Sequence, residues 1–236
     1  VLPPQHTSRT LHEANLTLHR AFDSIVSSFE ELAGTALLTL HMEIRCRIVH
    51  SLRIALSPEV APYLLDQEVS EPDPHILSLN AEMVSFDETV ARFLRERETG
   101  FIRSGLALLI NTYLVRNAWM AWPMNDRGSQ RMQLNILVLQ QNLKNIEEGV
   151  DLARVSNYYA LFDKGPDAII ARAKADKERQ QSGGEGGGGF GYDELKALVE
   201  LCFSEQVANP ERGIAAAGRR RMDEKLQELS EHVWHA

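Results

Sequence analysis

Cysteine is nearly missing from this 236-residue chain, which holds two, Cys46 and Cys202. Two cannot build a disulfide framework, and so low a count fits a reducing compartment. Strand signals are scarce as well: there is no Asn-Gly turn and no sustained apolar/polar alternation, which argues against a sandwich or barrel. Long apolar runs are missing. The strongest, Gly105–Ile110, meets Asn111 and soon Arg116, far short of the roughly 18–20 residues of a membrane-spanning helix. A basic excess is missing too, since 25 Lys+Arg face 33 Asp+Glu for a formal net charge of −8. With no global field to attract phosphates, a nucleic-acid partner is not expected. The start, Val1-Leu2-Pro3-Pro4, lacks a Met and a basic stretch ahead of an apolar one. It reads as a cut inside a longer protein rather than a secretory signal.

What is present is helical. No proline lies between Pro4 and Pro58, between Pro74 and Pro123, or between Pro123 and Pro166, leaving room for long helices that an interior proline would break. Leu18, Phe22, Ile25, Val26, Phe29 and Leu32 follow the three-to-four spacing of one helix face. A second, more uniformly apolar run from Ala36 to Leu56 predicts a central helix covered on several sides. Further helices are expected at about 74–98, ending near Gly100, and at 101–120, 129–148, 150–162, 167–177, 192–203 and 211–234. Seven of the 15 glycines crowd between Gly183 and Gly191, the composition of a flexible linker. The expectation is an all-α protein, stacked antiparallel helical bundles forming a rod. Its parts are an N-terminal helix over 1–35 ending a preceding bundle, a central bundle over 36–181, a linker over 182–191, and C-terminal helices over 192–236.

Chemistry-bearing motifs are thin. Gly184, Gly186 and Gly189 satisfy the spacing of a dinucleotide loop, but no strand delivers them to a helix N-terminus. None of the eight histidines has a glutamate three residues before it, and no His-Glu-x-x-His motif occurs, so neither a metal nor a cofactor is expected. Cys46 sits in an apolar helix, where a small buried hydrophobe is its expected role. No nucleophile elbow or P-loop lysine is present, and adjacent acids such as Glu147-Glu148 diverge around a helix instead of converging on a substrate. An enzyme is not expected. Two features are candidates for partner contact. Trp119 and Trp122 form an aromatic group with Met120 and Pro123 at a helix end, which suits an interface anchor but suits core packing better. Arg219, Arg220 and Arg221 are the densest basic cluster, although Asp223 and Glu224 directly oppose any anionic partner.

Beyond these patterns, four segments resemble the C-terminal region of the exocyst component 4 family. They are LHMEIRCR at 40–47, FIRSGLALLIN at 101–111, NILVLQQNLKNI at 135–146 and YYALF at 158–162, occurring in the family's order. The Gly-rich stretch and the ending His232–Ala236 depart from the family's pattern, and no PDZ-binding motif closes the chain. The resemblance implies a catalysis-free helical scaffold in an eight-subunit complex that tethers secretory vesicles at the plasma membrane before SNARE-driven fusion. It further implies a cytoplasmic, membrane-peripheral location and other exocyst subunits as partners. Small GTPases or SNARE-associated proteins would be reached through the complex. The rival reading is a helical adaptor that holds a peptide or small GTPase in a groove.

Overall fold

The computed structural model describes residues 4–57, 59, 62–181 and 189–233. They form α1 (Pro4–Ala55), α2 (Pro74–Ala91), α3 (Glu96–Arg103), α4 (Leu106–Arg116), a 3-10 turn (Ala118–Ala121), α5 (Asp126–Leu143), α6 (Ala153–Lys164), α7 (Pro166–Gln181), α8 (Tyr192–Val207) and α9 (Arg212–Val233). No strand occurs among them, and one isolated bridge joins Tyr63 to Met124. The all-α expectation holds. Most of the expected linker, residues 182–188, lies outside the described residues, as do Trp234 and His235.

Helix boundaries differ from the periodicity reading in several places: the helix expected over 101–120 is divided among α3, α4 and the 3-10 turn, and the one expected over 129–148 is α5, ending at Leu143. The expected break before Ala36 does not occur, and α1 runs unbroken for 52 residues. Gly34, the one residue there with poor helix propensity, costs only about 1 kcal/mol in a helix interior. Conversely, the helix expected to reach Glu98 stops at Ala91, and Gly100 lies inside α3. The left-handed residue that turns the chain is instead Gly105, with φ 80°, directly before α4.

The chain divides into two compact units, Val1–Glu43 and Ile44–Ala236. In the first, α1 is exposed at every position from His12 to Ala36. Leu18, Phe22 and Phe29 are 70%, 63% and 68% accessible, so the apolar face read from the sequence exists but does not enter a core. Cys46, at the start of the second unit, is also exposed, against the expectation of a buried role. Its neighbours Ile44 and Ile48 take the inward face and leave it outside.

The second unit holds the core. Ile48 and Leu52 of α1 are buried with Leu79 of α2, Ile110 of α4, Leu139 of α5, Tyr158 and Tyr159 of α6, Ile169 of α7 and Leu198 of α8. Helix N-termini are satisfied by side chains brought from elsewhere in the chain. Glu147 accepts from the amides of Gly105 (2.5 Å) and Ala107 (2.9 Å) at the start of α4. The buried Asn111 accepts from the Val155 amide at the start of α6 (3.0 Å) and donates to the Asp151 carbonyl (2.6 Å). These contacts answer for amides that a helix cannot pair internally. The Asp73 amide donates to Asn135 (2.7 Å), and the Asn142 amide nitrogen donates to the Asn80 carbonyl (3.3 Å). The N-cap residue of α2 and Asn80, seven positions on, thus meet positions seven apart on α5 in the same order, so these two helices lie side by side and parallel.

Buried ionisable groups give the fold an alkaline limit. Burial raises the Tyr63, Tyr158 and Tyr159 phenols above the ordinary value of 10.0 and pushes the Cys202 thiol from 9.0 up to about 12. A group that binds its proton more tightly when folded contributes its full stability below the unfolded value, and loses it as pH rises toward the folded value. The urea midpoint is therefore expected to hold steady up to about pH 9 and to fall above it, with the absorbance of three of the five tyrosines changing to that of tyrosinate only as the chain unfolds. Ionisation of all five well before unfolding would contradict this burial.

Candidate interaction surfaces

The aromatic group at the end of α4 is built by backbone geometry. In the 3-10 turn, residues three apart eclipse each other, and Ala118 and Ala121 both point inward with no exposure. Trp119, between them, is turned outward and is 59% accessible, while Trp122 is half-buried. Core packing, the favoured sequence reading for the pair, thus fails for Trp119. Leu108 of α4 is also outside, 69% accessible. Phe101 of α3 is also exposed. Leu108 escaped the sequence reading because it sits inside a continuous apolar run, where periodicity does not separate an inward leucine from an outward one.

The segment after Trp119 is firmly held. The Trp122–Pro123 peptide is cis. The Ser204 hydroxyl of α8 accepts from the Met124 amide (2.8 Å), and the Asn125 amide donates to the Tyr63 carbonyl (3.1 Å). Asn125 also caps α5 by accepting from the Gly128 amide (3.0 Å), and its side-chain amide donates to the Leu65 carbonyl (2.8 Å). The backbone that follows Trp119 is therefore fixed at Met124 and Asn125, which limits the ordering cost of a contact beside it.

The arginine cluster lies on α9. Gly218 faces α8, where a Cβ would come within 2.9 Å of Gln206 Cβ, and Arg219, Arg220 and Arg221 follow it as exposed residues. Successive helix positions turn by about 100°, so the three fan around the helix instead of converging. Arg219 and Arg220 line a shallow open groove with Arg212, Asp223 and Glu224. Both signs of charge share it, as the sequence anticipated. The structure does not bring the tryptophans and the arginines into one site.

No group of three or more His, Cys, Asp or Glu among the described residues is arranged to hold a metal ion. No helix among them is long and apolar enough to cross a membrane. The cysteines differ in setting: Cys46 is exposed, while the raised Cys202 thiol lies 3.8 Å from the Phe162 carbonyl. Near α8, Arg154 donates to the Gly189 carbonyl (3.0 Å) and pairs with Glu194 (2.6 Å). Its guanidinium lies 4.9 Å from the centre of the Phe190 ring. These contacts fasten the residues entering α8 and present no cleft.

Among known proteins, no family model matches the chain. Individual relatives do. The chain is 56% identical to the probable exocyst complex component sec8 of Neurospora crassa over 245 aligned positions, covering 91% of this chain and 22% of that protein. It is 32% identical to exocyst complex component 4 of Drosophila melanogaster, covering 64% of this chain and 16% of that protein. Against the human exocyst complex component 4 the identity is 28%, over 70% of this chain and 17% of that protein. The chain thus spans about a fifth or less of the length of these relatives.

Proposed function

Because the chain belongs to the exocyst component 4 (Sec8) family, we propose that it is a helical scaffold segment of a complex that tethers secretory vesicles to the plasma membrane before fusion. The observation that carries this reading is the 56% identity to the Neurospora sec8 protein across 91% of the chain. The build is compatible with such a role: helices rise 1.5 Å per residue, so packed bundles set distances without chemistry. On this reading the partners are other exocyst subunits, and the location is cytoplasmic and peripheral at sites of exocytosis. Small GTPases or SNARE-associated proteins are engaged through the complex. The domain division at 35, 181 and 191 belongs to the same proposal. The relatives' names favour the scaffold over a helical adaptor. The test is affinity purification of the full-length polypeptide from its own cells: recovery of the other exocyst subunits supports the reading, and their absence from a folded preparation overturns it.

Within that role, Trp119 and Trp122 are the proposed anchor for a neighbouring subunit, and Arg219–Arg221 a lesser contact. Exposed aromatics on a rigid backbone are the usual source of concentrated binding energy. Trp119→Asp in the full-length polypeptide is expected to weaken recovery of one subunit roughly 10-fold or more, with the thermal midpoint unchanged because the side chain is mostly in water. Replacing all three arginines by Gln is expected to lower recovery of that subunit by less than about 3-fold at low salt and to make it less salt-sensitive. Unchanged recovery in Trp119→Asp removes the anchor assignment.

A further inference from the structure

From Met132 to Leu143, α5 carries no Asp, Glu, Lys or Arg, in a chain where these make up 25% of the residues. A helix lying on a protein surface keeps its charges on the side turned to water. On α5 that side holds Leu134, Leu137 and Val138, with Leu137 50% accessible and the other two half-buried. Every polar side chain in the stretch is an Asn or Gln amide, which hydrogen-bonds without a charge to desolvate.

Helix α2 extends this uncharged strip. The Asp73–Asn135 and Asn80–Asn142 contacts set α2 beside α5 with one offset, 62 residues, at both levels. Leu77 lies between Asp73 and Asn80 and within about 60° of both around the helix, so it falls on the α5 side of α2; it is 47% accessible. On α5, Val138 and Leu134 stand about 60° and 100° from Asn135, on the flank opposite the buried Ile136 and Leu139. Leu77, Val138 and Leu134 therefore border one groove between the two parallel helices. Ala81, exposed one turn after Leu77, continues it. The α2 side, Pro74–Ala81, has no Asp, Glu, Lys or Arg either.

The lack of charge decides what fits. Anionic lipid surfaces and nucleic acids are held by cations, and the strip supplies none. A partner that set a charge against it would bury that charge unpaired. The complement is an uncharged apolar face, and a groove between two helices is filled by a third whose apolar residues recur every three or four positions. The dipoles of α2 and α5 point the same way, so a third helix is favoured running opposite to both, its C-terminal end beside their N-termini. Helices α2 to α9 are each packed within their own unit, and the domain division proposed above gives the exposed part of α1 to a preceding bundle. A second copy of the chain thus offers no spare helix for the groove.

We infer that the groove between α2 and α5 is the docking site for one amphipathic helix of another subunit, antiparallel to both and presenting an uncharged face. That other subunits are there to supply it rests on the scaffold reading. The site is built from other helices than the turn that carries Trp119.

The test compares the full-length polypeptide alone with the complex purified from its own cells, each carrying Leu137→Cys. Alkylation is followed peptide by peptide, so native thiols do not interfere. The expected result is fast alkylation at 137 in the polypeptide alone and a rate roughly 100-fold slower in the complex. Leu77→Cys gives the same measurement if Leu137→Cys does not fold. A benzophenone amino acid in place of Leu134 or of Gln141 is expected to crosslink to one helix of another subunit. The adduct from Gln141 should lie about seven residues earlier in that helix than the adduct from Leu134, because the helices run in opposite directions. Fast alkylation in the intact complex overturns the inference. Slow alkylation in the polypeptide alone also overturns it: if independent of concentration, the polypeptide covers its own groove, and if slowed further by concentration, a second copy does. Adducts in the reverse order, or on a segment without a three-to-four apolar stripe, overturn it as well. An open groove in a complex that assembles normally removes this inference alone. A polypeptide that recovers no other subunit removes the scaffold role and the partner with it.

Discussion

Alanine at Gly128 lowers stability by about 3 kcal/mol or more, the upper range for forcing extra volume into a packed interior. A Cβ at this position falls 1.9 Å from the Tyr63 carbonyl oxygen and 2.8 Å from its carbon, inside any tolerable contact. Neither side yields easily. The Tyr63 carbonyl accepts from the Asn125 amide (3.1 Å), and the buried Tyr63 hydroxyl donates to the Ala55 carbonyl (2.9 Å). Gly128 itself lies in the first turn of α5, its amide held by Asn125. The gain in helix propensity, about 1 kcal/mol, is smaller than the clash. Gly100 is the matched control, since it is helical and a Cβ there meets nothing within 4 Å. Gly100→Ala is expected to stabilise by up to about 1 kcal/mol. Urea denaturation of the two variants separates the effects in sign, and a Gly128→Ala midpoint equal to that of the parent would mean that the Tyr63 segment is loosely held.

Asn111→Ala is expected to cost about 2–4 kcal/mol, the sum for two polar groups losing their partners. Asn111 is 6% exposed and answers both the Val155 amide and the Asp151 carbonyl across the gap between α4 and α6. Alanine leaves both without a partner and adds a void. Asn111→Asp retains the acceptor for Val155 and places negative charge at a helix N-terminus, which is favourable. It also turns an acceptor toward the Asp151 carbonyl, so its cost falls between those of alanine and the parent. Amide exchange at Val155 reports the contact directly. It should accelerate strongly in Asn111→Ala and less in Asn111→Asp. Normal exchange there in a destabilised Asn111→Ala variant would move the cause from the cap to the void.

Much of the architecture was readable from local pattern. Proline-free intervals and three-to-four spacing located the helical segments, though not that the first two form one helix, because both reflect backbone chemistry that acts within a few residues. Boundaries were less readable. Gly100 looked like a helix end and Gly105 is the left-handed residue, since which glycine turns the chain depends on how α3 and α4 pack. The candidate surfaces divide the same way. The opposing charges around Arg219–Arg221 were visible in sequence, and they share a groove in the fold. Trp119 and Cys46 were expected inside and are outside. Composition tells how apolar a residue is, whereas exposure depends on which neighbouring positions the packed helices occupy.

The sequence alone determined the all-helical class, the acidic balance, the lack of catalytic or metal-binding motifs, and the four segments that resemble the exocyst family. All of these depend on residue identity and short-range spacing. Only the tertiary structure decided that α2 and α5 run parallel, that Gly128 must remain glycine beneath Tyr63, and that Glu147 and Asn111 cap helices some forty residues away. It alone decided that one amphipathic stripe of α1 enters the core while the other stays in water. Both stripes are apolar in the sequence. What separates them is the presence of packed neighbours, and that is a property of three-dimensional contact.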